Sequence, residues 1–328
     1  MVNFTDIRAA NQRIQKYVHR TPLLSSSSLN ADTGARLVFK CENFQRTGAF
    51  KARGAFNAVF SLEDQQAARG VVTSSSGNQA AALALAGRTR GIPVYVAMPK
   101  IALQSKVAAV RRYGGEITWV EGAGKVPTAE EYDTAVAAIQ AKTEANAVHP
   151  YNDPRTIAGQ GTCALEFVED QPILEMVLAP VGGGGLLAGT CVAVKELDPK
   201  IKVIGCEPEM ADDAQRSLRS GRIVTQSQPQ TIADGLRTSL GDLTFPIIQH
   251  YCDDVVTVSE AAIVSAMRLA WEILKVIIEP SSAVALAAVL EAKVEVSGRC
   301  VGIILSGGNV DVDRLPWISE HRADLTPE

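Results

Sequence analysis

Short apolar runs rich in Val and Ile alternate with longer Ala-rich stretches along most of the chain. "RLVFKCE", "GVVTSSS", "PVYVAMP", "EITWVEG", "EMVLAPVG", "IKVIGCEP", "DVVTVSE" and "CVGIILSGG" are strand-like: brief, β-branched, and bounded by Gly, Pro or polar residues. Between them "NQAAALALAGRTRG", "SKVAAVRRYGG", "AEEYDTAVAAIQAKTEA" and "EAAIVSAMRLAWEILK" carry a helical period. Strand and helix taking turns predicts an α/β fold whose mostly parallel sheets are covered by helices on both faces. Such sheets bind ligands beyond the carboxyl ends of their strands. Three predicted strand ends carry small-residue loops: "SSSGN" (Ser74–Asn78), "GGGG" (Gly182–Gly185) and "SGGN" (Ser306–Asn309). Together they mark a site.

The tetraglycine stretch leads from a strand into the helix-like "LLAGTCVAVKEL". Glycines there let the backbone approach an anion, with the N–H groups of the helix start aimed at it. No Gly-Lys-Ser/Thr follows, which excludes a Walker loop. Gly183, Gly185 and Ala188 fit a G-x-G-x-x-A dinucleotide fingerprint, and Glu207 ends the next strand where a ribose-binding acid would stand. That oxidoreductase reading leaves "SSSGN", "SGGN" and one lysine unexplained. Lys51 lies in "ENFQRTGAFKARGA" (Glu42–Ala55), behind Phe50 and among Gly48, Ala49, Ala52 and Gly54. Small neighbours would leave room for a flat ring above it. An amine among apolar groups gives up its proton more readily, as Schiff-base chemistry requires. Such a lysine beside a phosphate cup suggests pyridoxal phosphate, which has both an aldehyde and a phosphate.

The 328 residues are 46% hydrophobic and 21% charged, the balance of a globular chain of one large α/β unit or two domains. A net charge of −4 without a basic run argues against a nucleic-acid partner. No apolar run is long enough for a membrane span. Cys41, Cys163, Cys191, Cys206, Cys252 and Cys300 are scattered and form no C-x-x-C, so they read as free thiols of a cytoplasmic protein.

Glu42, Thr47, Ala49, Phe50, Lys51, Arg53 and Gly54 resemble the lysine-attachment pattern of the serine racemase and serine/threonine dehydratase family, pyridoxal-phosphate enzymes of fold type II. The likeness continues through "RTPL", "SSGN", "HPYNDPRTIAGQGT", "GGGGL", "EPEMADD", "TIADGL", "IIEPSSA" and "LSGGN", from about Phe4 to Trp317. It implies two open, mostly parallel twisted sheets, with a small mobile domain (69–148) inserted into a large cofactor-binding domain (1–68 and 149–328). It implies pyridoxal phosphate held by Lys51, with Phe50 beside the ring, Asn78 on the ring hydroxyl and Ser306 on the pyridine nitrogen. Gly182, Gly183, Gly184, Gly185 and Leu186 would cup the phosphate, and Gly235 would line the pocket. Ser75, Ser76, Gly77 and Asn78 would receive an amino-acid substrate. Glu207, the Ala211 carbonyl and Asp213 could offer oxygen ligands to Mg²⁺ (or Ca²⁺ or Mn²⁺), and the relatives bind a cation there. A homodimer is the family's habit.

The activity implied is dehydration of a serine- or threonine-type amino acid to a 2-oxo acid and ammonia, with racemisation as a companion or as the main reaction. Lys51 would take the Cα proton, and Ser76 matches the serine that works on the opposite cofactor face in serine racemase. Two positions depart from the pattern. Gln79 replaces the histidine usual in the racemase group, and Tyr132 stands where relatives place an arginine toward the substrate side chain. Without that cation, serine, threonine or phenylserine is a better substrate than 3-hydroxyaspartate.

Overall fold

All eight apolar runs form strands, and two strands of two residues each join them. In chain order they are β1 (Leu23–Leu24), β2 (Arg36–Cys41), β3 (Val71–Ser74), β4 (Val94–Pro99), β5 (Glu116–Val120), β6 (Asn146–Ala147), β7 (Met176–Pro180), β8 (Lys202–Pro208), β9 (Asp254–Val258) and β10 (Cys300–Leu305). The computed structural model describes residues 1–102, 104–122, 127–226 and 229–317. Residues 123–126, within the "VEGAGKVPT" stretch that precedes Tyr132, lie outside the described residues.

The strands make two sheets. One runs β1-β2-β10-β7-β8-β9, parallel except for β1, which pairs antiparallel with β2. The other runs β5-β4-β3-β6 and is parallel throughout. Every residue of β7 and of β10 is buried, as expected of central strands covered by helices on both faces. The helix Lys51–Phe60, which belongs to neither sheet, carries Ala52, Ala55 and Phe56 into one hydrophobic cluster with Leu83, Val96 and Met98 of the smaller sheet's layers.

Three helices meet in a stack that sets the site. The middle one, Pro154–Asp170, begins with Pro154 behind Asp153, whose Oδ1 accepts the Arg155 N–H at 2.8 Å. On one side it crosses Lys51–Phe60, where a Cβ on Gly159 would lie 2.6 Å from the Gly54 Cα. On the other it crosses the helix Gly185–Leu197, where a Cβ on Gly189 would lie 2.6 Å from the Gly161 amide nitrogen. Both crossings bring backbone onto backbone. They correct the expectation that small residues around Lys51 clear space for a ring. Gly54 is small because the Thr156 carbonyl would stand 2.9 Å from its Cβ, Gly48 because Asn309 Oδ1 would stand 2.5 Å away. Ala49 and Ala52 are fully buried in protein.

Below the lysine lies a buried lattice of charge. Arg53 donates from Nε and Nη2 to the two Glu42 oxygens at 2.7 and 2.8 Å, and from Nη1 and Nη2 to the two Glu166 oxygens at 2.8 Å each. Lys40 adds a 2.8 Å ion pair to Glu166, and Thr21 Oγ1 donates to Glu42 at 2.6 Å. Fork-to-carboxylate pairing on both sides is what allows a guanidinium to be fully enclosed.

Candidate active site

The chain reaches Lys51 through a constrained approach. Thr47 (φ 60°) and Gly48 (φ 74°) are both left-handed. Ala49 then bridges to Gly307, and the Phe50 N–H donates to the Ser306 carbonyl at 3.0 Å. Lys51 is the first residue of its helix. Its Nζ donates to the Pro150 carbonyl at 2.5 Å and lies 5.2 Å from the Phe50 ring centre. Burial pulls the amine down to about 8, against the pull of Glu279 in the other direction. The lysine is therefore close to the state in which it can act as a nucleophile and base.

The tetraglycine turn follows β7. Gly184 (φ 88°) precedes the helix Gly185–Leu197, which no side chain caps. Among the described residues, no hydrogen bond takes up the N–H groups of Gly183, Gly184, Gly185 or Leu186. A Cβ on Gly183 would run into the Tyr151 ring, and one on Gly182 would lie 2.9 Å from the Leu236 Cα and 3.1 Å from the Gly235 carbonyl. Protein thus packs against these glycines while their amides stay free for an anion. Ser306, buried at the end of β10, has a hydroxyl without a partner among the described residues. A deprotonatable amine, an uncapped ring of N–H donors and a buried hydroxyl are a donor set that fits pyridoxal phosphate.

The "SSSGN" loop comes from the smaller sheet. The Ser75 N–H donates to the Ala97 carbonyl at 3.1 Å, and Ser75 Oγ accepts the Gly77 N–H at 3.1 Å. Ser76 is exposed. Asn78 opens the helix Asn78–Arg90, and its amide reaches the larger sheet: Nδ2 donates to Glu279 at 2.8 and 3.1 Å, and Oδ1 accepts from Asn309 Nδ2 at 2.9 Å. Lys106 crosses the same gap in an ion pair with Asp234, and its Nζ stands 3.3 Å from where a Gly77 Cβ would be. Gln79 is buried with both amide atoms unpartnered among the described residues.

The structure therefore gathers Lys51, Phe50, Asn78, Ser306, Gly235 and the glycine turn. It adds Glu279, Tyr151, Asn309, Lys106 and Asp234, most of which sit inside the family motifs without a task that the sequence assigns. Burial, then Asp234, pushes the Glu279 carboxyl up to about 7. Burial, then the charge of Lys51, pulls His149 down to about 4, so its ring is neutral at pH 7. Tyr132 packs instead on Val72, Ala97, Val120, Ile139 and Ala145, and burial pushes its phenol up to about 12.

Glu207 does not face a ribose: its carboxyl accepts the N–H groups of Ala214 (3.1 Å) and Gln215 (2.7 Å) at the start of the helix Asp213–Ser220. Asp213 accepts from Gln226 Nε2 at 2.8 Å and from the Leu240 N–H at 3.3 Å. Burial pushes Glu207 up to about 9 and Asp213 up to about 7. Among the described residues no group of three or more His, Cys, Asp or Glu side chains converges on one point. All six cysteines are free thiols, and no helix is long and apolar enough to cross a membrane among the described residues.

Comparison with known proteins agrees with this geometry. The sequence profile described as "pyridoxal-phosphate dependent enzyme" matches residues 14–307. The chain is 51% identical over 314 residues to a β-hydroxyaspartate dehydratase of Paracoccus denitrificans, covering 96% of this chain and 98% of that one. It is 48% identical to a serine racemase of Arabidopsis thaliana, covering 95% and 94%. Among solved structures, maize serine racemase superposes with a TM-score of 0.92 at 46% identity, covering 95% of each chain. The amine of Lys51, the glycine turn and these likenesses agree, and the chain belongs to the pyridoxal-phosphate dependent enzymes, in the branch of the dehydratases and serine racemases.

Proposed function

We propose that the protein is an ammonia-lyase for β-hydroxy amino acids that uses pyridoxal phosphate, converting a serine- or threonine-type substrate to a 2-oxo acid and ammonia, with amino-acid racemisation as a second activity. The observation that carries this is the Lys51 amine, lowered to about 8 and bonded to the Pro150 carbonyl, next to Tyr151, which packs on Gly183 and Gly185 of the uncapped glycine turn. The cofactor supplies an aldehyde that captures the substrate amine and a ring that draws electrons from Cα. Lys51 would anchor it; Gly182 to Leu186 would bind its phosphate through backbone N–H groups; Ser306 would meet the ring nitrogen; Asn78 would meet the ring hydroxyl; Phe50 and Gly235 would bound the ring. Ser75, Gly77 and Asn78 receive the substrate carboxylate. The Lys51 amine would take the Cα proton, the β-hydroxyl would leave as water with a proton from a nearby acid, and hydrolysis of the 2-amino-alkenoic acid would give the 2-oxo acid and ammonia. Ser76 lies in the loop from the smaller sheet and returns or removes a proton on the face away from Lys51.

Residues 69–148 act as a lid on the rest, closing when Lys106 pairs with Asp234. The shared cluster of Phe56 with Leu83 supplies the pivot. Glu207, Asp213 and the Ala211 carbonyl hold a divalent cation, as the two buried carboxyls act on each other with like charge. The chain works as a cytoplasmic homodimer, which sedimentation at working concentration would check.

A 3-hydroxyaspartate substrate is the alternative that the likeness to the Paracoccus enzyme favours; Tyr132, packed on apolar side chains, does not bear on it. The deciding experiment titrates the apoprotein with pyridoxal phosphate, traps it with borohydride and maps the modified peptide. It then measures 2-oxo acid, ammonia and D-isomer from serine, threonine, phenylserine and 3-hydroxyaspartate. Label on Lys51 with 2-oxo acid release is the expected result. A protein that takes up no cofactor, or is labelled at another lysine, would refute the proposal.

A further inference from the structure

A line of side-chain amides runs under the site from Thr47 to Glu279. Asn309 Nδ2 donates to the Thr47 carbonyl at 2.6 Å and to Asn78 Oδ1 at 2.9 Å; Asn78 Nδ2 donates to both Glu279 oxygens, at 2.8 and 3.1 Å. Both ends of this line are acceptors. A backbone carbonyl cannot donate at one end, and the carboxyl presents two oxygens at the other, so neither amide can be turned over without setting oxygen against oxygen.

The two Glu279 oxygens subtend a narrow angle at Asn78 Nδ2, much less than the roughly 120° between the hydrogens of an amide NH₂. One hydrogen serves both oxygens, and the other is left over. Glu279 is itself fixed for this task. It precedes the helix Pro280–Leu290 yet makes no side-chain cap to it, and Gly307 lacks a side chain where a Cβ would stand 2.5 Å from Glu279 Oε1. The carboxyl is buried, with Asn78 and the Asn309 N–H as hydrogen-bond donors, and Asp234, Lys106 and Lys51 as the charged groups that act on it.

We infer that Glu279 and Asn309 are positioning residues for the cofactor: between them they lock the Asn78 amide so that its one spare N–H points at the cofactor ring. The inference rests on the reading of the Lys51 cleft as the pyridoxal-phosphate site. It assigns a task to the glutamate of "IIEPSSA" and the asparagine of "LSGGN". It also ties that N–H to the approach loop of Lys51, because Thr47 anchors the far end of the line.

The test uses Glu279→Gln and Asn309→Ala in the full-length protein. Pyridoxal phosphate affinity is read by absorbance titration, together with the position of the bound cofactor's visible band and the melting temperature of the apoprotein. Glu279→Gln places an NH₂ against the Asn78 NH₂ and lets the amide turn over; Asn309→Ala frees the other end. Each variant is expected to bind pyridoxal phosphate about tenfold more weakly, the weight of one lost hydrogen bond to a charged group. The visible band should move in both. Asn309 is exposed, so Asn309→Ala should melt with the wild type and keeps the test open if Glu279→Gln does not fold. Wild-type affinity with an unmoved band in both variants would overturn the inference. So would a loss of affinity that only tracks lost apoprotein stability with the band in place. A wild-type protein that binds no pyridoxal phosphate would overturn the reading underneath, and is told apart because there is then no wild-type band to compare.

Discussion

Replacing Arg53 by Leu removes the guanidinium that stands between two buried carboxyl groups. The side chain is fully enclosed and makes four bonds to carboxylate oxygens, between 2.7 and 2.8 Å, with further bonds to Thr162 Oγ1 at 3.2 Å and the His19 carbonyl at 3.3 Å. After the substitution Glu166 keeps Lys40, whereas Glu42 is left with the neutral Thr21 hydroxyl. Breaking a buried pair by deleting one partner costs about 3–5 kcal/mol. At about 2.1 cal/mol/K of unfolding entropy per residue, a chain of 328 residues loses roughly 4–7 °C of melting temperature for that cost.

The loss also has a pH signature. Burial works to raise the Glu166 carboxyl, but Arg53 and Lys40 overcome it and hold the group below its usual range. A carboxyl depressed in the folded state contributes stability above its unfolded pKa, and that stability is lost as pH falls through the folded value. The deficit of Arg53→Leu should therefore be largest near neutrality and shrink below about pH 4.5. Scanning calorimetry of the apoprotein across that range measures it. Adding Glu42→Gln to Arg53→Leu should recover part of the loss by removing the stranded charge. A deficit under about 1 °C, or one that does not change with pH, would refute the argument that the lattice is held by charge pairing.

Other consequences can be checked alongside. Lys106→Ala removes the ion pair that spans the gap to Asp234; a pair of this partial exposure is worth about 1 kcal/mol, so KM for the amino acid should rise roughly fivefold, and an unchanged KM would separate closure from this contact. Ser76→Ala should abolish D-isomer formation and spare 2-oxo acid release, and racemisation that persists would remove Ser76 from the second face. Mg²⁺ or Ca²⁺ should raise the melting temperature of chelator-treated protein, and Glu207→Gln with Asp213→Asn should erase that rise; equal melting with and without the cations would leave the two carboxyls without a metal.

Much of this was legible in the sequence, for physical reasons that differ from residue to residue. Most of the eight longer strands are readable because buried parallel strands are nearly continuously apolar, and the exposed edge strand β5 is readable by its β-branched residues, whereas β1 and β6, two residues each, are too short to show any period. The glycine turn announced itself because a positive φ and close packing on Tyr151 both demand glycine. The small residues near Lys51 are ambiguous, since sequence shows that a close approach occurs but not what approaches. Glu279 carries no local signal, because its partner Asn78 lies 201 positions away and nothing in "IIEPSSA" says that its carboxyl is turned away from its own helix. Tyr132 shows the opposite limit: position along the chain suggested a substrate contact, and the helix Ala129–Thr143 turns it onto apolar side chains.

The two glycine crossings have a consequence for how the enzyme can vary. Gly54 against Gly159, and Gly161 against Gly189, place three backbones in direct touch between the anchor of the reactive amine and the cup for the phosphate. Side chains at a helix contact can rotate or yield, but main chains in touch cannot, so the span between the two ends behaves as a fixed gauge. The pocket walls can drift and admit different amino acids while that gauge holds. A single methyl group inserted at either crossing would lengthen it, and a cofactor of invariant size would no longer reach both ends.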